Sequence, residues 1–342
     1  MDEYRPEHIL VTGGAGFIGS TYVRLALSVD PLRRVTVLDK LTYAGNLANL
    51  TEVADNPRFR FVRGDITDST VVRDCLRDDV DTLVNFAAET HVDRSIQDAG
   101  SFVLTDVYGL HVLLAASLEQ GVRRFLQVST DEVYGDIAEG ASEEADPLLP
   151  RSPYAAGKAG GELLARAYAI THGLEVVITR GSNTFGPRQY PEKLVPLFVT
   201  NALRGKPLPV YGDGLQIRDW LAVQDHCSGI DLVLRRGASG QAYNLGGGKP
   251  LTNLQMTEQI LHLCGRDVNL IQHVRDRKGH DRRYAINCDK AHALGWRPST
   301  PFAEALAATV SWYRDNEEWW RPILESNQFT DHLRLTYAPP AE

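Results

Sequence analysis

Residues 8–20 read HILVTGGAGFIGS, a short apolar run followed at once by Gly13-Gly14-Ala15-Gly16-Phe17-Ile18-Gly19. The spacing satisfies both Gly-x-Gly-x-x-Gly and Gly-x-x-Gly-x-x-Gly, and FIGSTYVRLAL beyond it is helix-like. A side-chain-free turn between strand and helix lets backbone N–H groups and the helix N-terminus approach a pyrophosphate. Asp39 ends the next strand-like run, RVTVLD, 20 residues beyond Gly19. A carboxylate there can accept hydrogen bonds from the adenosine ribose hydroxyls and repel a 2'-phosphate, so NAD is expected rather than NADP. Each feature alone has a plain structural reading, a tight turn or a solvated strand end; all of them in register favour a dinucleotide site.

Working outward, β-branched runs alternate with helix-like segments: HILVT (8–12), RVTVLD (34–39), FRFVRGD (59–65), VDTLVNFAA (80–88), RFLQVST (124–130) and LEVVITR (174–180), with helical stretches at 17–28, 101–120 and 153–172. Strands that are nearly continuously apolar belong to a parallel sheet covered on both faces, which predicts an α/β, doubly wound Rossmann-type fold. After residue 181 the regularity breaks in GSNTFGPRQYPEK, GKPLPVYGDG and NLGGGKPLT. A smaller mixed α/β substrate domain over 181–330 is expected, with the chain rejoining the first domain (1–180) at about 217–240. Residues 331–342, ending YAPPAE, read as a loose tail.

A chain of 342 residues with 43% hydrophobic and 23% charged residues has the composition of a globular protein rather than a disordered one. Its formal charge of −8 gives no general attraction to nucleic acid or anionic lipid, so any anionic ligand needs local cations. Cys75, Cys227, Cys264 and Cys288 are widely spaced, without a Cys-x-x-Cys pair. That pattern fits a reducing cytoplasm better than a disulfide framework or zinc site. No uninterrupted apolar stretch reaches the roughly 20 residues that span a bilayer, so neither a membrane nor a nucleic-acid partner is expected.

Tyr154 and Lys158, four residues apart in SPYAAGKAGGELLARAYA, project from one face of the expected helix. The ammonium, together with a positive nicotinamide ring, favours the phenolate, and Tyr154 can then take a sugar hydroxyl proton during hydride transfer. The fifth strand delivers Ser129, Thr130, Asp131 and Glu132 to the carboxyl edge of the sheet, where ligands of open α/β folds bind. Thr130 can bond the same hydroxyl as Tyr154, while the two carboxyl groups can act as one acid and one base. Oxidation beside a carbon that bears hydrogen acidifies that hydrogen, so an acid and a base at one centre make elimination of water feasible. Adjacent strand residues point to opposite faces, so Asp131 joins Thr130 and Glu132 only where the strand has ended or turned.

These residues resemble the extended short-chain dehydrogenases, and among them the dTDP-glucose 4,6-dehydratases, over about residues 8–320. The resemblance is carried by VTGGAGFIGS, LDKLTYAGNLANL, FAAETHVDRSI, STDEVYG, SPYAAGKA, FGPRQYPEKLVPL, GDGLQIRDWLAVQDH and DRKGHDRRYAIN, in the family's order. It implies that NAD+ takes hydride from carbon 4 of the glucose, Glu132 removes the carbon 5 proton, Asp131 protonates the carbon 6 hydroxyl, and hydride returns to carbon 6. Cofactor contacts are implied for Gly13, Gly16, Phe17, Ile18 and Gly19, for Asp39, Lys40 and Thr42, and for Asp65, Ile66, Ala87, Ala88, Thr105, Tyr154 and Lys158. Contacts to the nucleotide sugar are implied for Thr90, Thr130, Asn183, Lys193, Leu194 and Pro209, and for Tyr211, Arg218, Asn253, Arg277 and His280. Lys193, Arg218 and Arg277 are reasonable diphosphate partners on an acidic protein, although each alone could be a solvated surface charge.

Thr184 stands where the family pattern has a second Asn, Gly157 where a Ser is usual, and Lys278 where there is a Pro. The histidines, His91 and His280 included, show no ligand spacing, and no metal is expected. A UDP-sugar 4-epimerase or a UDP-glucuronate decarboxylase shares the glycine loop and the Tyr–Lys pair. Neither explains the adjacent Asp131 and Glu132. A noncatalytic NAD-binding regulator would be expected to lack the catalytic groups. The helices at 101–118 and 153–170 are apolar over much of their circumference, and the resemblance implies that they pair in a homodimer as a four-helix bundle.

Overall fold

The computed structural model describes residues 3–337. Six of the apolar runs become parallel strands: β1 His8–Thr12, β2 Arg34–Asp39, β3 Phe59–Arg63, β4 Thr82–Asn85, β5 Arg124–Thr130 and β6 Val176–Gly181. Three further strands, β7 Asn183–Phe185, β8 Leu208–Tyr211 and β9 Ile217–Ala222, lie outside this sheet, and β10 Gln241–Leu245 completes it beside β6. The spatial order is β10-β6-β5-β4-β1-β2-β3. The winding reverses between β1 and β4, which opens a crevice at the carboxyl ends of the strands there.

Alternate residues of each strand enter two different cores, which is why the strands read as unbroken apolar runs. Ile9, Val11, Val35, Val37 and Leu126 pack with Tyr22, Val23 and Ala26 of the helix Phe17–Val29 and with Ile230 and Val233 of the helix Val223–Arg236. Leu10, Leu38, Leu83 and Phe125 pack on the opposite face with Val72, Leu110, Leu113 and Leu114. At roughly 25 cal/mol per Å² of apolar surface, each such fully buried side chain contributes about 1.5–3 kcal/mol to holding the crevice walls together.

The expected helix at 101–120 spans 99–120, but its middle is irregular: Val103–Gly109 adopts the wider π-helical hydrogen bonding between Ala99–Phe102 and Leu110–Gln120. By length and composition Ala99–Gln120 is apolar enough to cross a membrane, yet half of its most apolar window is buried in this protein. Val103, Leu104 and Tyr108 leave part of its apolar surface exposed. The helix Pro153–His172 matches its expected bounds, with the Ser152 side chain accepting from the Ala155 N–H at 3.1 Å to cap it.

The smaller lobe carries the sheet β11-β9-β7, with β11 at Pro250–Thr252, and a pair formed by β8 and β12, Ile271–Val274. Its core gathers Phe198, Trp220, Met256, Tyr313, Trp320 and Phe329. The return to the large sheet begins later than the sequence reading places it: β9 belongs to the smaller sheet, and only Val223–Arg236 and β10 rejoin the first lobe. The tail reading is also corrected for residues 331–337, which complete a helix, Asn327–Tyr337, anchored by buried Phe329 and His332. Residues 338–342 lie outside the described residues.

Candidate active site

A cavity of about 310 Å³ opens at the reversal of strand order. Gly13 enters it at φ +68°, in the left-handed region that favours glycine, and a Cβ there would stand 2.6 Å from the Ala87 nitrogen. A Cβ on Gly19 would collide with the Gly13 carbonyl oxygen. The bare backbone of the turn is therefore required by packing as well as by ligand approach. Asp39 is fastened to the same loop: Oδ2 accepts from the Ala15 N–H at 2.9 Å and Oδ1 from the Leu41 N–H at 2.8 Å. Burial raises its pKa, and these two hydrogen bonds oppose the rise. Lys40 Nζ pairs with Asp65 Oδ2 at 2.6 Å across the ends of β2 and β3.

All of the residues expected to touch the cofactor line this cavity: Gly13, Gly16, Phe17, Ile18, Gly19, Asp39, Lys40, Thr42, Asp65, Ile66, Ala87, Ala88, Thr105, Tyr154 and Lys158. The glycine turn, the oriented Asp39 carboxylate and the Tyr–Lys pair, lining one cavity at the switch point, fit a dinucleotide.

Thr130, Asp131 and Glu132 face the same cavity. Strand β5 ends at Thr130, whose side chain accepts from the Glu132 N–H at 3.3 Å and so caps a 3₁₀ turn, Asp131–Tyr134. This turn removes the strand alternation that would have sent Asp131 to the opposite face. The Thr130 hydroxyl donates to Asp131 Oδ1 at 3.3 Å, and Asp131 Oδ2 has no hydrogen-bond partner among the described residues. Full burial, then the charges of Glu132 and Asp219, hold the Asp131 carboxyl well above the usual range. Burial thus favours the protonated form of Asp131.

Tyr154 is enclosed beside Thr130, and burial followed by the charges of Glu132 and Asp106 raises its phenol well above the ordinary value. The Lys158 ammonium, expected together with the nicotinamide ring to favour the phenolate, has a further neighbour. The Lys158 ammonium lies 3.7 Å from Asp106 Oδ1, and its Nζ donates to the Val128 carbonyl at 3.4 Å. Asp106 comes from the π-helical stretch, is 4% exposed, and neither of its carboxylate oxygens has a hydrogen-bond partner among the described residues. Its charge, when present, neutralises much of what Lys158 offers Tyr154. Sequence reading missed Asp106 because the interruption of the helix that aims it inward has no distinct residue pattern.

Of the expected sugar-nucleotide contacts, Thr90, Thr130, Asn183 and Lys193 line the cavity. The others are not among its lining residues. Arg218 lies over the Tyr284 ring at 4.2 Å and senses the charges of Glu132 and Asp131. Tyr211 and His280 meet edge to face at 5.8 Å, the Tyr211 hydroxyl donates to Asp93 at 3.3 Å, and Arg277 is 4.0 Å from the same carboxylate. Pro209 precedes Tyr211 in β8; Asn253 starts the helix Asn253–Cys264 with an unpartnered Oδ1 among the described residues. Leu194 starts the helix Leu194–Leu203 and packs into the smaller core.

Two residues of the C-terminal helix were not foreseen. Tyr337 lies 5.4 Å from Tyr211, ring to ring. His332 approaches Glu192 at 3.6 Å and His91 at 5.3 Å between rings. His91, Glu192 and His332 group closely, but the Glu192 carboxylate is already engaged by Arg94 Nε at 2.8 Å and the Tyr43 hydroxyl at 2.9 Å. Burial together with Arg94 and Lys193 depresses both imidazoles, His332 to about 4. A dication would meet these same cations.

Comparison with known proteins agrees with this geometry. Residues 10–309 match the family model described as GDP-mannose 4,6 dehydratase. A dTDP-glucose 4,6-dehydratase of Actinoplanes sp. is 54% identical over 318 residues, covering 91% of this chain and 99% of the relative. One from Streptomyces niveus is 53% identical over 327 residues, covering 94% and 97%. The structure of a double mutant of the Streptomyces venezuelae dTDP-glucose 4,6-dehydratase, with NAD and a sugar nucleotide bound, superposes with a TM-score of 0.91 at 52% identity, covering 92% of this chain and 99% of that one. With its glycine turn, Tyr–Lys pair and adjacent acid and base in one cavity, the chain belongs to the GDP-mannose 4,6 dehydratase family and, within it, to the dTDP-glucose 4,6-dehydratases.

Proposed function

We propose that the protein converts dTDP-glucose to dTDP-4-keto-6-deoxyglucose and water, using NAD that is restored in each turnover. The observation that carries the reading is the 3₁₀ turn after β5, which brings Asp131 and Glu132 to the cavity shared by Tyr154 and the glycine loop. A 4-epimerase has no step that uses this acid and base.

When bound, NAD+ supplies the hydride acceptor for carbon 4 and the hydride donor for carbon 6. Gly13, Gly16 and Gly19 would admit its pyrophosphate and Asp39 would take the ribose, while Ile66 and Thr105 line the same cavity. Tyr154, as the phenolate that the Lys158 ammonium favours, removes the carbon 4 hydroxyl proton and becomes the phenol, with Thr130 bonded to the same oxygen. Glu132 takes the carbon 5 proton, acidified by the new ketone. Asp131 delivers its proton to the departing carbon 6 hydroxyl, a role suited by the burial that raises its carboxyl above the usual range. Lys193, Arg218 and Arg277 balance the diphosphate, and Tyr211, Asn253 and His280 hold the nucleotide end, with Tyr337 beside them. Activity with dTDP-glucose and with UDP-glucose, read as the alkaline ultraviolet absorbance of a 4-keto-6-deoxy sugar, tests the assignment. A galactose product would overturn it.

The same reading makes the protein a homodimer in the cytoplasm. Val103, Leu104 and Tyr108 on one helix and Leu163 and Ile170 on its neighbour are all at least half exposed, an apolar face of the kind a second copy covers. All four cysteines are unpaired thiols, as a reducing compartment maintains.

A further inference from the structure

Outside the cavity, one contact joins the smaller lobe to the back of the glycine turn. Trp319, in the helix Glu317–Glu325, donates its indole N–H to Asn49 Oδ1 at 3.0 Å, across 270 residues of chain. Asn49 stands in the 3₁₀ turn Leu47–Val53, between β2 and β3, and is 2% exposed. Its Nδ2 donates to the Ala15 carbonyl at 2.9 Å. The two partners decide which end of the amide faces which way. An indole N–H only donates and a carbonyl only accepts, so Oδ1 must meet Trp319 and Nδ2 must meet Ala15. The indole is itself seated by Trp312, edge to face at 5.1 Å. Arg188, just beyond β7, covers the Trp312 ring at 5.5 Å and pairs with Glu52 of the same 3₁₀ turn.

Ala15 is fully buried and is not among the residues lining the cavity, whereas Gly13, Gly16, Phe17 and Ile18 are. Its carbonyl accepts from Asn49 and also from the Asn46 N–H at 3.1 Å, and the Gly16 N–H of the same peptide donates to the Gly13 carbonyl oxygen at 3.1 Å. The Ala15–Gly16 peptide is thus held at both ends. It leads directly into the helix Phe17–Val29, whose first turn no side chain caps among the described residues. Such uncapped N–H groups are the ones that take up an anion. Holding this peptide therefore holds the direction in which the helix presents them.

Resting on the NAD reading, we propose that Trp319 is a cofactor-positioning residue: from the smaller lobe it orients the Asn49 amide, which holds the Ala15 carbonyl and with it the pyrophosphate-binding turn. Trp319 acts through Asn49 and does not line the cavity. NAD affinity thereby depends on the lobe that carries most of the sugar-nucleotide contacts.

Calorimetry of NAD and of dTDP with the full-length protein tests this. Trp319→Phe keeps an aromatic ring against Trp312 and removes the N–H. Loss of one hydrogen bond that orders the turn corresponds to a rise in the NAD Kd of about two- to tenfold, while the dTDP Kd should stay the same. Asn49→Ala should weaken NAD at least as much, and adding Trp319→Phe to it should weaken NAD no further, because the indole acts only through the amide. A merely structural role for Trp319 would give the same loss in both backgrounds and would weaken dTDP as well. Circular dichroism identifies the variants that fold. By reciprocity NAD must also steady the indole contact, so in the unaltered protein NAD should slow backbone hydrogen exchange over 317–325 as well as over 13–19, a measurement that needs no variant. An unchanged NAD Kd in folded Trp319→Phe, additive losses in the double variant, or exchange over 317–325 indifferent to NAD would each overturn the proposal while leaving NAD as cofactor. Failure of the unaltered protein to bind NAD at all would instead remove the reading on which the proposal rests.

Discussion

Asp106→Asn is the perturbation with the clearest energetic signature. Burial raises the Asp106 carboxyl to about 7 from its ordinary 3.8, despite the attraction of Lys158; Glu89 adds a smaller upward push. Such a group binds its proton more tightly in the folded chain than in the unfolded one. Its contribution to stability is full below about pH 4, declines as pH rises, and is lost above about pH 7. A displacement of roughly 3 units at 1.36 kcal/mol each makes the loss about 4 kcal/mol. Asparagine keeps the shape and has no proton to lose, and at acid pH both proteins present Lys158 with a neutral neighbour. The stability of Asp106→Asn relative to the unaltered protein should therefore start near zero around pH 4–5, rise by about 3–4 kcal/mol up to pH 8, and level off. Urea unfolding at fixed protein concentration, followed by circular dichroism in half-unit pH steps, measures this difference. The pH profile of kcat/KM should at the same time lose a group titrating near 7. A stability difference that stays flat, or falls, with pH would refute the reasoning.

Glu132→Gln should allow oxidation at carbon 4 but block removal of the carbon 5 proton, so reduced cofactor accumulates in single turnovers and solvent deuterium does not enter carbon 5. Asp131→Asn removes the proton donor and should lower kcat by about 10²–10⁴-fold, with little change in KM; rapid-quench analysis should find the oxidised sugar before elimination. Leu104→Lys should shift the mass measured by light scattering toward the monomer, because it places a charge on the apolar face shared with Leu163 and Ile170.

The fold was legible where one local rule governs many residues. Strands covered on both faces must be apolar throughout, so β1 to β6 stand out, and the glycine turn cannot tolerate side chains. The Asp131–Glu132 pair was legible as chemistry, whereas its geometry depended on where β5 stops. What escaped notice depends on distant partners. β10 reads QAYNL and declares itself only by pairing with β6. Asn327–Tyr337 buries Phe329 and His332 against an otherwise polar sequence, so its helix looked like a tail. Asp106 became visible as the neighbour of Lys158 only once the elements carrying the two were packed together.

The contribution of Tyr337 beside Tyr211 has a consequence for synthesis on the ribosome. The large sheet is complete once β10 has emerged at Leu245, whereas on the proposed function the sugar-nucleotide end waits for Tyr337 to reach Tyr211. At about 5–20 residues per second, translation separates these two moments by roughly 5–20 s. During that interval a nascent chain can be steadied by its redox partner but not by its carbohydrate.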